Sequence, residues 1–172
     1  MSKKVLILDT SVLCCWLQVP GKEHAGPDHD KWDYQRISSL LDREEKDGST
    51  FVLPMASLIE TGNHIAQCAQ HRYETARKLA QYLIHSTDGT SPWAAFTEQA
   101  VLWGMENLRR IAQTWPSLAA QRLTIGDATI KDVAEYYARA GYLVEILTGD
   151  NGLKAYQPAT PLVPPRRRGS RR

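Results

Sequence analysis

The chain has 172 residues, of which 42% are hydrophobic and 23% charged, and its formal net charge is +2. This composition predicts one globular domain with a proper core and excludes a largely disordered chain. No apolar stretch approaches the ~18 residues of a membrane-spanning helix, and three cysteines, two of them adjacent, indicate reduced thiols in a cytoplasmic protein instead of a disulfide framework.

Charge is distributed unevenly along the chain. The last nine residues, 164–172, contain five arginines, so the remainder carries a net charge of −3 (the total of +2 less five). We therefore predict a folded domain over residues 1–157 and a basic, Pro/Arg-rich flexible tail over 158–172. Within that tail, the only expected regular structure is a short strand at Leu162-Val163.

The first half of the chain predicts two strands, each followed by a helix. Val5–Leu8 is a short, continuous apolar run, which is typical of a strand buried on both faces. The apolar residues 12–17 then predict a helix, and the Pro-, Gly- and charge-rich residues 18–31 predict a surface loop. A helix over 32–46 and a second strand over 50–53 follow.

The second half predicts mostly helices before a last strand. Helices are expected over 55–70 and 71–85, and a third is expected to carry one apolar stripe. The members of that stripe are Val101, Leu102, Met105, Leu108 and Ala112. Trp103 and Trp115 are expected to pack in the same helical layer. A helix over 125–140 and a strand over 143–147 complete a three-layer α/β/α fold with a central parallel sheet and an enlarged helical section at about 71–121.

Four acidic residues lie at junctions between these elements. Asp9 follows the first strand, Glu60 lies on the helix after the second strand, Asp127 opens a late helix, and Asp150 follows the last strand. Each position also has an ordinary structural explanation. Asp9 is a suitable helix N-cap.

The ordinary explanations for the other three acids depend on their neighbours. Ser57–Glu60 and Thr124–Asp127 both match the capping-box pattern, which stabilises the start of a helix. Asp150 is followed by Asn-Gly, a good turn sequence.

Considered together, the acids predict a metal site. Parallel strands end at one edge of a sheet, so Asp9 and Asp150 should meet there, with Asp127 and Glu60 beside them. Clustered carboxylates resist ionising together unless a cation neutralises them. Carboxylate oxygens suit Mg²⁺ or Mn²⁺, and such sites typically serve phosphoryl transfer or phosphodiester cleavage.

Four segments resemble the acidic motifs of PIN-domain nucleases, in the same order and over about residues 5–156. They are Asp9-Thr10-Ser11, Leu58-Ile59-Glu60-Thr61, Gly126-Asp127-Ala128-Thr129-Ile130 and Leu147-Thr148-Gly149-Asp150. The resemblance implies a PIN-like fold and a metal-dependent endoribonuclease, a hydrolase that cuts RNA. The long loop after the first helix, the helical section at about 71–121 and the basic tail depart from the family's pattern.

The resemblance implies roles for individual residues. Asp9, Glu60, Asp127 and Asp150 match the catalytic acidic quartet. Asp9, Asp127 and Asp150 would hold Mg²⁺ or Mn²⁺, and Glu60 would hold an outer ligand or orient the attacking water. Ser11 and Thr148 match supporting hydroxyls near the site.

Partners follow from the same hypothesis. Lys131, Lys154 and Arg122 are candidates for binding the RNA backbone, through phosphate contacts that salt should weaken. An antitoxin or other regulatory protein, as accompanies many small bacterial PIN proteins, is a candidate partner, as is a second copy of the chain. No membrane partner is expected.

Three alternatives stand beside this interpretation. Asp132 competes with Asp127 for the third acidic place, but it lies about 140° further around the helix, so we expect a solvated charge. Haloacid dehalogenase-like phosphatases also begin with a strand ending in Asp, yet they need a second Asp where this chain has Ser11. A catalytically inactive PIN-like scaffold, for RNA or for protein, is the main alternative, and in it the acids would only form caps and turns.

Overall fold

The computed structural model describes residues 3–159. A parallel sheet of three strands has the order β2-β1-β3, with β1 at Lys4–Leu8, β2 at Thr50–Val52 and β3 at Leu143–Leu147. The helices are α1 Thr10–Leu17, α2 Tyr34–Lys46, α3 Met55–Gln67, α4 Arg72–Asp88, α5 Met105–Ala119, α6 Ile125–Arg139 and α7 Asn151–Lys154. Short 3₁₀ helices span Asp28–Asp30 and Phe96–Trp103. The predicted parallel α/β organisation is confirmed. The strand predicted at Leu162-Val163 and most of the predicted tail lie outside the described residues.

The apolar run of β1 is continuous because both faces of the sheet are covered. Leu6 and Leu8 belong to one buried cluster, which includes residues of α1, α2, α3 and α4. Val5 and Ile7 point the other way, into a second buried cluster built mainly with α6 and β3. Alternate residues of a strand face opposite sides. Helices therefore pack on both faces, an arrangement compatible with an α/β/α fold.

Both edges of the described sheet are closed by residues that do not belong to a strand. Beside β2, the Pro92 carbonyl accepts a hydrogen bond from the Phe51 N–H at 2.7 Å, and the Ala94 N–H donates to the Phe51 carbonyl at 2.8 Å. Beside β3, the Ile146 N–H donates to Gln157 Oε1 at 2.9 Å, and Lys154 Nζ donates to the Ile146 carbonyl at 2.7 Å. Side chains thus take the place of a further strand along β3, and unpaired backbone groups at an edge are avoided.

The prediction of one continuous apolar stripe from Val101 to Ala112 is wrong. A 3₁₀ helix ends at Trp103, and α5 begins only after Gly104, so the helical phase is interrupted between the two halves of the stripe. Val101, Met105 and Leu108 are 63%, 71% and 43% exposed. Trp103 is also exposed, contrary to expectation.

Trp115 behaves as expected. It is half-buried in the helical layer, where its indole N–H donates to the Leu123 carbonyl at 3.2 Å. Among the helices of residues 3–159, none has the length and apolar content required to cross a membrane.

Candidate functional site

Asp9 lies where β1 ends and α1 begins, and its side chain is held firmly. The residue is only 6% exposed. Its Oδ2 accepts hydrogen bonds from Ser11 Oγ and Thr148 Oγ1, both at 2.7 Å, and from the Ser11 N–H at 3.3 Å. Asp9 is also the N-cap of α1, as its ordinary explanation predicted. These three bonds all end on Oδ2, so Oδ1 lies outside them.

The electrostatic environment of Asp9 disfavours its negative charge. Burial raises the pKa of the carboxyl group above its usual value, and the donors from Ser11 and Thr148 offset part of that rise. No lysine or arginine of the described chain forms an ion pair with it. A cation bound at this carboxylate would therefore offset part of the cost of burying its charge.

The hydroxyls on Asp9 also fix the end of β3. Ser11 Oγ accepts from the Gly149 N–H at 2.9 Å, while Thr148 Oγ1 accepts from the Asp150 N–H at the same distance. Each hydroxyl therefore joins the Asp9 carboxylate to the backbone that carries the last acid. The two hydroxyls that the PIN resemblance implies near the site, those of Ser11 and Thr148, are both in direct contact with Asp9.

Glu60 reaches the same region from α3. Its Oε2 accepts from Thr10 Oγ1 at 3.0 Å, and its Oε1 lies directly above the backbone of Gly126 on α6. The capping-box explanation for Glu60 is wrong, because α3 already begins at Met55, with Pro54 as its N-cap. The carboxylate of Glu60 is instead directed towards α1 and α6.

Asp127 and Asp150 both act as helix caps. Asp127 Oδ2 accepts from the Thr124 N–H at 2.9 Å and from the Thr124 hydroxyl at 2.8 Å, which completes the predicted capping box of α6. Asp150 Oδ1 accepts from the Gly152 N–H at 2.7 Å and caps α7. Their ordinary explanations therefore apply, although in each residue these bonds use only one carboxylate oxygen.

The contacts link the four acids without forming a coordination shell. Thr148 connects Asp9 with the backbone of Asp150, and Glu60 connects Thr10 with the residue before Asp127. Within residues 3–159, no group of three or more His, Cys, Asp or Glu side chains is placed so that it could hold a metal ion. The donor chemistry nevertheless fits Mg²⁺ or Mn²⁺, because every acid keeps a carboxylate oxygen outside the bonds described above.

The three candidate RNA-binding cations have different environments. Lys131 pairs with Glu135 at 2.6 Å. The Lys154 ammonium group closes the edge of β3, and burial lowers its pKa. Arg122 is exposed in the turn before α6 and makes no ion pair with the described residues. Of the three cations, Arg122 is the one that is exposed and has no ion pair among the described residues.

Asp132 is not the solvated charge that the sequence predicts. The residue is 8% exposed, and its Oδ2 lies 3.2 Å from Arg110 Nη2 and 3.4 Å from Asn107 Nδ2. The error arises because α5 packs against this side of α6. Asp132 therefore belongs to the interface between these two helices and not to the edge that carries Asp9.

Sequence reasoning missed three residues that shape the site. Thr10 binds Glu60, Gly126 leaves room for the Glu60 carboxylate, and Gly149 contacts the loop after α1. A β-carbon added to Gly149 would lie 2.5 Å from the Gly26 nitrogen and 2.9 Å from the Ala25 Cβ, so this loop packs beside the site. A signal was present, because a glycine directly precedes an acid in both Gly126-Asp127 and Gly149-Asp150.

A comparison of the chain with protein-family models, with curated proteins and with solved structures found no match. The motifs of the sequence and the geometry of these side chains are therefore what indicates a function.

Proposed function

We propose that this chain is a PIN-like endoribonuclease that depends on Mg²⁺ or Mn²⁺. The observation that carries the proposal is the buried Asp9 carboxylate, which Ser11 and Thr148 fix at the edge where parallel strands end. The crevice at the carboxyl ends of parallel strands is the usual position of a functional site in open α/β sheets.

A purely structural role does not explain why this position is acidic. All three hydrogen bonds to Oδ2 are donated to Asp9, and a neutral asparagine oxygen could accept the same three bonds, although each would be weaker than with a charged acceptor. An ionised carboxylate adds a desolvation cost that asparagine would avoid. Retaining a charge at such a cost is typical of a residue that binds a cation or takes part in chemistry.

The proposal assigns a role to each acid. Asp9, Asp127 and Asp150 are not grouped in the described residues so that they could hold an ion as they stand. To hold one, they would turn the oxygens that their structural bonds leave available towards a shared ion, and Glu60 would orient the attacking water or an outer ligand. When bound, the ion supplies a Lewis acid that makes water nucleophilic near neutral pH. RNA is the substrate that the PIN resemblance implies. The exposed Arg122 would contact a phosphate on the rim, in a manner that salt weakens.

The alternative is a catalytically inactive PIN-like scaffold. It is favoured by one specific observation, namely that Asp127 and Asp150 already cap α6 and α7. In a scaffold these two acids would need no further role. Only the uncompensated charge of Asp9 and the position of Glu60 would then lack an explanation.

The test compares the wild-type protein with Asp9→Asn and with Asp132→Asn, a control that changes a buried acid outside the site. Cleavage of several RNAs is measured with Mn²⁺, and thermal unfolding is measured with and without it. We expect Asp9→Asn to lose roughly a hundredfold or more in activity. Mn²⁺ at 100 times its Kd should stabilise the wild type by about 2.7 kcal/mol and Asp9→Asn by much less.

Two results would favour the scaffold over the nuclease. One is equal cleavage by the wild type and Asp9→Asn, which would indicate a contaminating activity. The other is the absence of both cleavage and stabilisation by Mn²⁺ in the wild type. If cleavage is found, sequencing RNA ends after brief expression would identify the substrate.

A further inference from the structure

We infer that Thr10 and Gly126 are positioning residues that hold the Glu60 carboxylate in place between the segments that carry Asp9 and Asp127. The inference rests on the proposed function, since it concerns how the same acidic site is assembled. Neither residue is an acid or a ligand, and each acts only through Glu60.

Thr10 supplies the polar contact. Its hydroxyl donates to Glu60 Oε2 at 3.0 Å, and Thr10 itself is only 8% exposed. Because Thr10 directly follows Asp9 in the chain, this bond fixes α3 relative to the end of β1. A charged acceptor makes such a bond stronger than one between two neutral groups.

Gly126 supplies the space. A β-carbon built on Gly126 would overlap Glu60 Oε1, and it would lie 3.4 Å from Glu60 Cδ. The next nearest atom, Thr124 Oγ1, lies at an ordinary contact distance of 3.4 Å. The absence of a side chain on Gly126 is therefore what allows the Glu60 carboxylate to rest against the first turn of α6, beside Asp127.

The backbone gives no other reason for a glycine at this position. Gly126 is the second residue of α6, and it is not among the glycines with positive φ. Glycine in a helix is less favourable than alanine by up to ~1 kcal/mol. The room that Glu60 needs accounts for a residue that helix propensity opposes.

Gly126→Ala should move Glu60 and leave the fold intact. The overlapping atom is the end of a flexible side chain and not backbone, so the carboxylate can swing away. Gly62→Ala is the matched control. Gly62 lies on α3 two residues from Glu60, and a β-carbon there would meet nothing within 4 Å.

The experiment measures Mn²⁺ affinity by calorimetry and checks folding by thermal unfolding. Gly126→Ala should weaken the affinity by roughly tenfold, as expected for a residue that orients a metal-site side chain. Gly62→Ala should leave it unchanged. In a Glu60→Ala background the Gly126→Ala change should have no further effect, because two substitutions that act through one side chain are not additive.

A second pair of variants tests the polar contact independently of Gly126. Thr10→Val keeps the shape of the side chain and removes the donor, so it should weaken Mn²⁺ binding, whereas Thr10→Ser keeps the hydroxyl and should bind normally. This pair decides the matter if Gly126→Ala does not fold.

The outcomes separate this inference from the proposed function. Wild-type affinity for Mn²⁺ that survives both Gly126→Ala and Thr10→Val would overturn the positioning role and leave the metal site standing. A Gly126→Ala effect that persists in full without the Glu60 side chain would also overturn it. A folded wild type with no affinity for Mn²⁺ would overturn the proposed function, and the positioning role with it.

Discussion

Thr148 Oγ1 donates a 2.7 Å hydrogen bond to Asp9 Oδ2, across 139 positions of the chain. The same oxygen accepts from the Asp150 N–H at 2.9 Å. One hydroxyl therefore connects the acid at the end of β1 to the acid after β3. The pairing of β1 with β3 therefore also brings Asp9 and Asp150 together in the candidate site.

Thr148→Val should destabilise the protein and weaken the site together. Valine keeps the branched shape but removes both hydrogen bonds, which leaves the buried Asp9 oxygen and the Asp150 N–H short of a partner. We expect a loss of about 1–3 kcal/mol in the free energy of unfolding, measured by urea denaturation. Thr148→Ser keeps the hydroxyl and is the control. Equal stability of the two variants would show that the bond contributes nothing.

Asp9→Asn should stabilise the protein at neutral pH while abolishing the proposed activity. Burial raises the pKa of the Asp9 carboxyl group, so the folded state binds a proton more readily than the unfolded state. The contribution of Asp9 to stability is therefore greatest below its unfolded pKa and declines as pH rises towards its folded pKa. Asparagine does not titrate, so this decline is absent from the variant. We expect its free energy of unfolding to be about 1 kcal/mol higher than that of the wild type at pH 7.

The pH profile of unfolding distinguishes this explanation from a general effect of the substitution. The difference in stability between Asp9→Asn and the wild type should appear as pH rises through that window and should remain constant above it. Thermal unfolding without metal ions, between pH 3 and pH 8, measures it. A difference that does not change with pH would contradict the desolvation argument.

How much of this site the sequence predicts depends on the range of each interaction. The strand β1 and the cap at Asp9 follow from local pattern, since an apolar run ends on an acid and two hydroxyls. The capping box at Asp127 is equally local. By contrast, the burial of Asp132 depends on how α5 packs against α6, which no local pattern specifies.

The sequence pattern also does not predict where a helix is interrupted. The apolar residues from Val101 to Leu108 have helical spacing, but Gly104 separates a 3₁₀ helix from α5 and turns the two parts to different directions. Periodicity assumes one continuous helix. The contact between Glu60 and Gly126 was missed for a related reason, because it joins two helices that are distant in sequence.

Gly149→Ala should loosen the loop after α1 from the end of β3. A β-carbon there would lie 2.5 Å from the Gly26 nitrogen, which is backbone and cannot simply rotate away. We expect a loss of about 1–3 kcal/mol in the free energy of unfolding, as for other overpacked sites. Gly62→Ala meets no neighbouring atom within 4 Å and lies inside α3, so it should raise the free energy of unfolding by up to ~1 kcal/mol. Urea denaturation of both variants tests this, and equal stability would contradict the close contact.

Arg110→Ala should destabilise the protein more than Asp132→Asn does. Arg110 Nη2 lies 3.2 Å from Asp132 Oδ2, and the side chain of Asp132 is only 10% exposed. Removing the arginine leaves a buried carboxylate without its cation, whereas asparagine removes the charge itself.

The Arg110 side chain is 42% exposed, so water screens its ion pair with Asp132. We therefore expect Arg110→Ala to lower the free energy of unfolding by about 1–2 kcal/mol. The double variant should lose less than the sum of the single losses. Mn²⁺-dependent cleavage by Asp132→Asn should equal that of the wild type, since Asp132 contacts α5 and not the edge that carries Asp9. Loss of cleavage in this variant at unchanged stability would assign Asp132 to the acidic site after all.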